Sequence, residues 1–218
     1  MTTSGDASTP ELADLVAGAP RMGLRERKKA AAMRRLQEVA VEQFEEHGFD
    51  AVTIEHIAAH AEVSPSTVYR YFGTKEALVL RDEFDDQILA LAPVLLAEHD
   101  VYTAFEKAIE LIAAQHLAIP MEMAWRRTKI WMETPSIRGA GFLMAEEMAH
   151  ALTPLVVASP VNDLDHDAAH IVCTAAVMAI FAAIENWYRS ERQADMLTLA
   201  ADAVRLVKPA WAAKGSDQ

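Results

Sequence analysis

The chain is short of several things at once, and each shortage closes off a class of protein. It holds a single cysteine in 218 residues, so no internal disulfide framework can form and a reducing compartment is the expected setting. Glycine occurs only 8 times, and no stretch shows the period-two alternation of a half-buried strand. Tandem repeats are lacking, and so are low-complexity tracts beyond a bias toward alanine. The opening "MTTSGDASTPELADLVAGAP" has neither a basic start nor a long apolar run, so it does not read as a signal peptide. No run of about 20 uncharged apolar residues is expected to span a membrane. There is no Gly-x-Ser-x-Gly elbow, phosphate-binding loop or dinucleotide fingerprint. The expectation is a soluble cytoplasmic protein that is not an enzyme, has no membrane partner and needs no cofactor.

What remains is helix-forming material. Hydrophobic residues make up 52% of the chain, with alanine, leucine and methionine dominant, and that balance favours an all-α fold. The length suits one large domain or two small ones. Net charge is −12, which taken whole argues against a nucleic-acid partner. The charge is uneven, however. Residues 21–81 are close to neutral and open with the basic run "RMGLRERKK", while residues 82–218 carry most of the negative excess.

Periodicity and punctuation divide the chain further. Residues 1–20 are rich in small and polar residues and read as a flexible tail. From Leu24, the spacing of Met33, Leu36, Ala40 and Phe44 predicts one helix face, ended by Gly48 as a left-handed C-cap. Thr53 stands at an N-cap position ahead of Ile54, Ile57, Ala58 and Ala61, a short second helix. Ser64-Pro65 is another start signal, with Ser as cap and Pro at the first helical position. Val68 and Phe72 form the apolar side of that third helix, and Gly73 stops it. Thr74 is expected to cap a fourth helix reaching about Leu96, bent at Pro93. Further helices are predicted near 101–117, 121–132, 136–157 (bent or shortened by Pro154), 164–190 and 192–213.

Two short helices joined by the tight link "HAEV" make a helix-turn-helix, whose second helix enters the major groove of DNA. The stretch "SPSTVYRYFGTKEAL" meets the physical demands of that role. A helix start offers free backbone N–H groups and a positive dipole end, and both attract phosphate. Ser64, Ser66 and Thr67 add hydroxyls there. Tyr69 and Tyr71 can donate phenolic hydrogen bonds, and Arg70 can reach a phosphate or a guanine edge.

With these residues the chain resembles the TetR family of bacterial transcriptional repressors. The resemblance lies in "TIEHIAAHAEVSPSTVYRYFGTKEAL" (53–78) and the preceding "FEEHGFDAVT". Its Thr-x-x-x-Ile-Ala, Val-Ser, Tyr-x-Tyr-Phe and Lys-Glu-x-Leu elements fall at family spacing over roughly a quarter of the chain. One departure is visible: Glu62 stands where the family usually has glycine. The resemblance implies phosphate contacts at Thr53, Ser64, Tyr69, Tyr71 and Lys75. It implies a base-facing set at Pro65, Ser66, Thr67 and Arg70, and an N-terminal arm at Arg25, Arg27, Lys28 and Lys29. It further implies that residues 21–81 form a three-helix DNA-binding domain. Residues 82–218 would form a larger helical ligand-binding and dimerisation domain.

The expected function is that of a ligand-responsive repressor. A homodimer would bind a palindromic operator of double-stranded DNA and be released by a small hydrophobic effector. Ala168, Val172, Ala176, Ala179 and Ala183 make a narrow stripe suited to close helix approach between subunits. Met121, Trp125, Thr128 and Met132 share a helix face, and with Phe105, Met148 and Phe181 they are the candidate ligand-pocket residues. Phe142 and Met144 add bulk. Glu185 could meet a cationic ligand, with pairing to Arg189 the blander alternative. Arg126, Arg127 and Lys129 could greet an acidic ligand, with a solvated helix face the blander reading.

A metal-sensing regulator on the same scaffold is the alternative, with a helical metalloenzyme and a protein-binding adaptor behind it. The metal readings rest on His166, His170 and Cys173, at i, i+4 and i+7 beside Asp163, Asp165 and Asp167. Against them stands a buried small cysteine near an ordinary polar helix start. The one Glu-x-x-His, Glu147 to His150, falls short of the two that a di-iron bundle needs.

Overall fold

The computed structural model describes residues 24–81, 85–116 and 121–212, in which every regular element is an α-helix. The predicted tail at residues 1–20 lies outside the described residues. In chain order the helices are α1 (Leu24–His47), α2 (Ile54–His60), α3 (Pro65–Phe72), α4 (Ala77–Leu80), α5 (Asp85–Glu98), α6 (Val101–His116), α7 (Met121–Glu133), α8 (Pro135–Val157), α9 (His166–Arg189) and α10 (Met196–Ala212).

The first four helices gather around one apolar cluster. Met33, Leu36, Ala40 and Phe44 of α1 are all buried, as their spacing predicts, and they pack with Ile57, Val68, Phe72 and Leu78. Gly48 ends α1 with φ of 81° and Gly73 ends α3 with φ of 76°. Both lie in the left-handed region that a side chain makes costly. Thr53 caps α2 by accepting the His56 N–H at 3.1 Å.

The expected long fourth helix does not form as one piece. Thr74 Oγ1 does accept the Ala77 N–H at 3.2 Å. Helix α4 nevertheless ends at Leu80, and Arg81 is extended with ψ of 145°. The carbonyls left open at that end are taken by side chains from elsewhere. Gln37 Nε2 donates to Leu78 O (3.2 Å) and Arg81 O (2.7 Å), and Arg127 donates to Val79 O and Arg81 O. Outside bonding of this kind lets a helix stop early without orphaned acceptors.

A second apolar cluster joins α5, α6, α8, α9 and α10. Helix α9 lies between α8 and α10, and its Trp187 is 1% exposed. By length and composition α9 is apolar enough to cross a membrane, contrary to the expectation that no segment is. Here one face of it is core, with Ala169, Val172, Cys173, Ala176, Val177 and Ala183 buried. That corrects the expected subunit stripe as well. Val172, Ala176 and Ala183 pack inside the protomer, and the outward apolar side of α9 is at Ile171, 58% exposed. Pro154 does not interrupt α8, which runs on to Val157.

The boundary expected at residue 81 is crossed by packing. Ile137 of α8 is fully buried in the first cluster, with Ile130 and Trp131 of α7 against it. The later helices thus supply part of the core on which the first four rest.

Candidate functional site

Helix α3 owes its position to two apolar residues. Val68 and Phe72 are buried against α1 and α2, so the opposite face must point outward. Ser64, Pro65, Ser66, Tyr69 and Arg70 are exposed there, Tyr69 at 48%, and Thr67 is half-buried. Ser64 does not cap α3 through its side chain, which corrects the expectation. Its hydroxyl instead lies 2.8 Å from Ser66 Oγ and 3.0 Å from Thr67 Oγ1. Three hydroxyls therefore cluster at the helix start, bonded to one another rather than capping it. Arg70 spreads over the Tyr71 ring, 4.9 Å from its centroid, and Tyr71 leans on the first cluster. Stacking of this kind holds a guanidinium without consuming its donors.

Lys75 departs from its expected role as a phosphate contact. Its ammonium donates to Phe49 O (2.7 Å) and Val52 O (2.9 Å) and sits 4.1 Å from the Phe49 ring centroid. Two of its three donors are used inside the protein, where they clamp the α1–α2 link to the start of α4. Thr53 is exposed; its oxygen serves the cap and its hydroxyl proton stays free to donate. Arg25 and Lys28 are exposed on the first turns of α1.

Glu62 lies in the turn before α3 with φ of 57°. Its N–H bonds to Ala59 O (3.2 Å) and the Val63 N–H to Ala58 O (3.0 Å). This bond pair is a Schellman ending, whose left-handed position normally takes glycine. The departure from the family pattern is thus a real conformational cost, carried at the turn of the motif.

The candidate ligand residues do not form one site. Phe105 lines an apolar cavity with Leu95, Leu96, Leu152 and Val156, between α5, α6 and α8. Met132 and Phe181 meet in a separate cleft with Trp131, Arg138, Phe142 and Glu185. Met121 is 49% exposed, Thr128 is buried, and Met148 packs on the second cluster. Trp125 is occupied by protein: its ring meets Trp187 edge-on and stacks with Tyr188 at 5.7 Å, and Arg192 lies over it. Sequence reasoning missed Trp131 and Arg138 as cleft residues. Only a contact between three helices distant in sequence unites them.

Arg126 and Arg127 are not a solvated face. Arg126 makes a bidentate pair with Glu45 of α1, its Nη2 at 2.6 Å. The Glu45 bond, added to the nearby carboxylates, raises the Arg126 pKa against the opposing effect of burial. Arg127 caps α4 as described. Glu185 and Arg189 form no ion pair among the described residues.

The suggested metal stripe does not converge. His166 is 71% exposed beside Asp167, and His170 stacks on His150 at 4.6 Å. Cys173 is fully buried, which pushes its thiol up to about 11 and keeps it a thiol rather than a ligating thiolate. Among the described residues no three His, Cys, Asp or Glu side chains are placed to hold a metal ion.

Residues 36–81, from the middle of α1 to the end of α4, match the family model for bacterial regulatory proteins of the tetR family. Over this segment, the helix-turn-helix and its flanks, the chain is similar to TetR-family regulators. It is 27% identical over 194 residues to the HTH-type transcriptional regulator TcmR of Streptomyces glaucescens, spanning 82% of this chain and 83% of that one. Two solved structures are among those similar to this chain. The fatty acid degradation regulator FadR of Bacillus halodurans has a TM-score of 0.49 and 16% identity, over 86% of this chain and 96% of that one. The TetR-family repressor AlkX of Dietzia sp. has a TM-score of 0.49 and 14% identity, over 89% and 98%. The family-model match marks residues 36–81 as a helix-turn-helix segment of the kind found in DNA-binding transcriptional regulators.

Proposed function

We propose that the chain is a ligand-responsive repressor that binds a palindromic operator as a homodimer and leaves it when a small effector binds. The observation that carries this is the start of α3, where a three-hydroxyl cluster, Tyr69 and Arg70 face outward from a buried Val68–Phe72 anchor. Ser66, Thr67 and Arg70 read base edges in the major groove, with Pro65 fixing their approach. Ser64, Thr53 and the two tyrosines hold phosphates, and Arg25 and Lys28 extend the grip along the backbone. Lys75 supports this surface from behind, by fixing the α1–α2 link.

Dimerisation is supported by apolar side chains that the protomer leaves outside, Ile171 on α9 and Leu206 on α10, the latter 79% exposed. Two recognition helices about 34 Å apart would match successive major grooves. Release by an effector needs a conformation in which that spacing is lost. The contacts of α7 and α8 with the first four helices provide a mechanical route.

Selection of bound fragments from random DNA tests the proposal. A palindromic consensus is expected, with Arg70→Ala weakening binding about 5- to 100-fold and relaxing preference at one position per half-site. Recovery of no consensus from active, folded protein would sink it.

A further inference from the structure

We infer that the cleft between α7, α8 and α9 is the effector site and that it takes a bulky apolar or aromatic cation, held by Glu185. The effector role presumes the repressor function proposed above; the binding itself does not.

The chemistry of the cleft points to this ligand class. Trp131, Phe142 and Phe181 present aromatic surface, and Met132 and Met178 add soft, adaptable walls. Into this lining comes one half-buried carboxylate, Glu185. It has no hydrogen bond or ion pair among the described residues, although Arg189 stands one turn away on the same helix. A carboxylate drawn partly out of water beside aromatic faces is short of a counter-charge, and the same faces attract a cation through their quadrupoles. The other charge at the cleft, Arg138, is exposed. Water and salt screen it far more than they screen Glu185. The cavity around Phe105 is lined by alanine, leucine, valine and phenylalanine only, and offers no group that would select a charged ligand.

Position gives the cleft its regulatory meaning. Trp131 belongs to its wall and also packs on the apolar cluster of the first four helices. Its ring meets Phe181 edge-on at 5.2 Å. It also fills the space beside Gly141, where a Cβ would stand 2.8 Å from the indole nitrogen. The indole therefore has no slack toward α8. A ligand that wedges between Phe181 and Trp131 must move α7, and α7 is tied to α1 by Arg126–Glu45 and to α4 by Arg127.

The test uses two ions of matched shape and opposite charge, tetraphenylphosphonium and tetraphenylborate, titrated calorimetrically into the full chain without DNA. Saturable binding of the phosphonium at least tenfold tighter than that of the borate is expected, with Glu185→Gln cutting phosphonium affinity at least tenfold. Equal binding of the two ions, a preference for the borate, no phosphonium binding, or an unaffected Glu185→Gln variant each overturns the ligand class. Fragments recovered by DNA selection then test the role. Phosphonium at saturating concentration should lower operator affinity at least tenfold, and an unchanged affinity overturns the effector assignment. Failure to select any DNA would instead count against the repressor function, leaving the cation site to stand on the calorimetry.

Discussion

Glu62 is an acidic, β-carbon-bearing residue held in a left-handed conformation three positions before α3. An L-residue there costs about 1–2 kcal/mol relative to the right-handed region, and glycine escapes most of that cost while losing more entropy on folding. Glu62→Gly should therefore stabilise the protein by about 0.5–1 kcal/mol, read as a higher urea midpoint with an unchanged slope. An unchanged or lower midpoint would show that the turn is not strained. Cys173 gives a second residue-scale prediction. With its thiol raised to about 11 by burial, the folded protein at pH 8 should react with an aromatic disulfide reagent at least a hundredfold more slowly than urea-unfolded protein. Comparable rates would place the thiol at the surface. The position of Glu62 was legible in the sequence as a missing glycine, and its Schellman bonds explain why glycine belongs there. The role of Lys75 was not legible. Its place at a helix start suggested a phosphate contact, and only the fold brings the Phe49 and Val52 carbonyls within 2.9 Å of its ammonium.

At the scale of elements, α7 and the first turn of α8 join the two halves of the chain by packing. Ile137 sits in the core of the first four helices although it is far from them in sequence. Truncating it to alanine should cost about 2–5 kcal/mol, because the cavity would open inside the DNA-binding half. Urea unfolding followed by Trp fluorescence measures it, and a loss under about 1 kcal/mol would mean the contact is loose. Arg126→Ala removes a partly exposed bidentate pair, so its stability cost should be modest, about 1 kcal/mol or less. Its effect should instead show in coupling: effector affinity is retained and effector-driven loss of DNA binding is reduced. Helices α1, α2 and α3 were readable because their apolar stripes, Gly48, Gly73 and Ser64-Pro65 are local signals. The break after α4 was not, because the groups that satisfy its last carbonyls, Gln37 and Arg127, lie 41 or more residues away. Arg126 and Arg127 looked like a solvated face for the same reason.

The molecule as a whole carries net charge −12, and yet α3 is proposed to read DNA. Segregation resolves the tension. The acidic excess lies in the later helices, and the first four combine near-neutral charge with hydroxyl, phenol and arginine donors at one helix start. Binding should accordingly be salt-sensitive, with few phosphates neutralised by full charges and a correspondingly shallow salt slope. The all-α class was legible from composition, and the resemblance to the family from one 26-residue stretch (53–78). The cleft around Glu185 was not, since its residues come from three helices whose relative placement no local pattern encodes. The most direct test is fluorescence anisotropy of the full chain on a selected operator fragment and on a scrambled fragment of equal length, with wild type and Arg70→Ala side by side. The expected result is at least about a thousandfold preference of wild type for the operator, falling sharply in Arg70→Ala. Equal affinity of wild type for the two fragments, or an Arg70→Ala variant that discriminates as well as wild type, would contradict the assignment of α3 as the recognition helix.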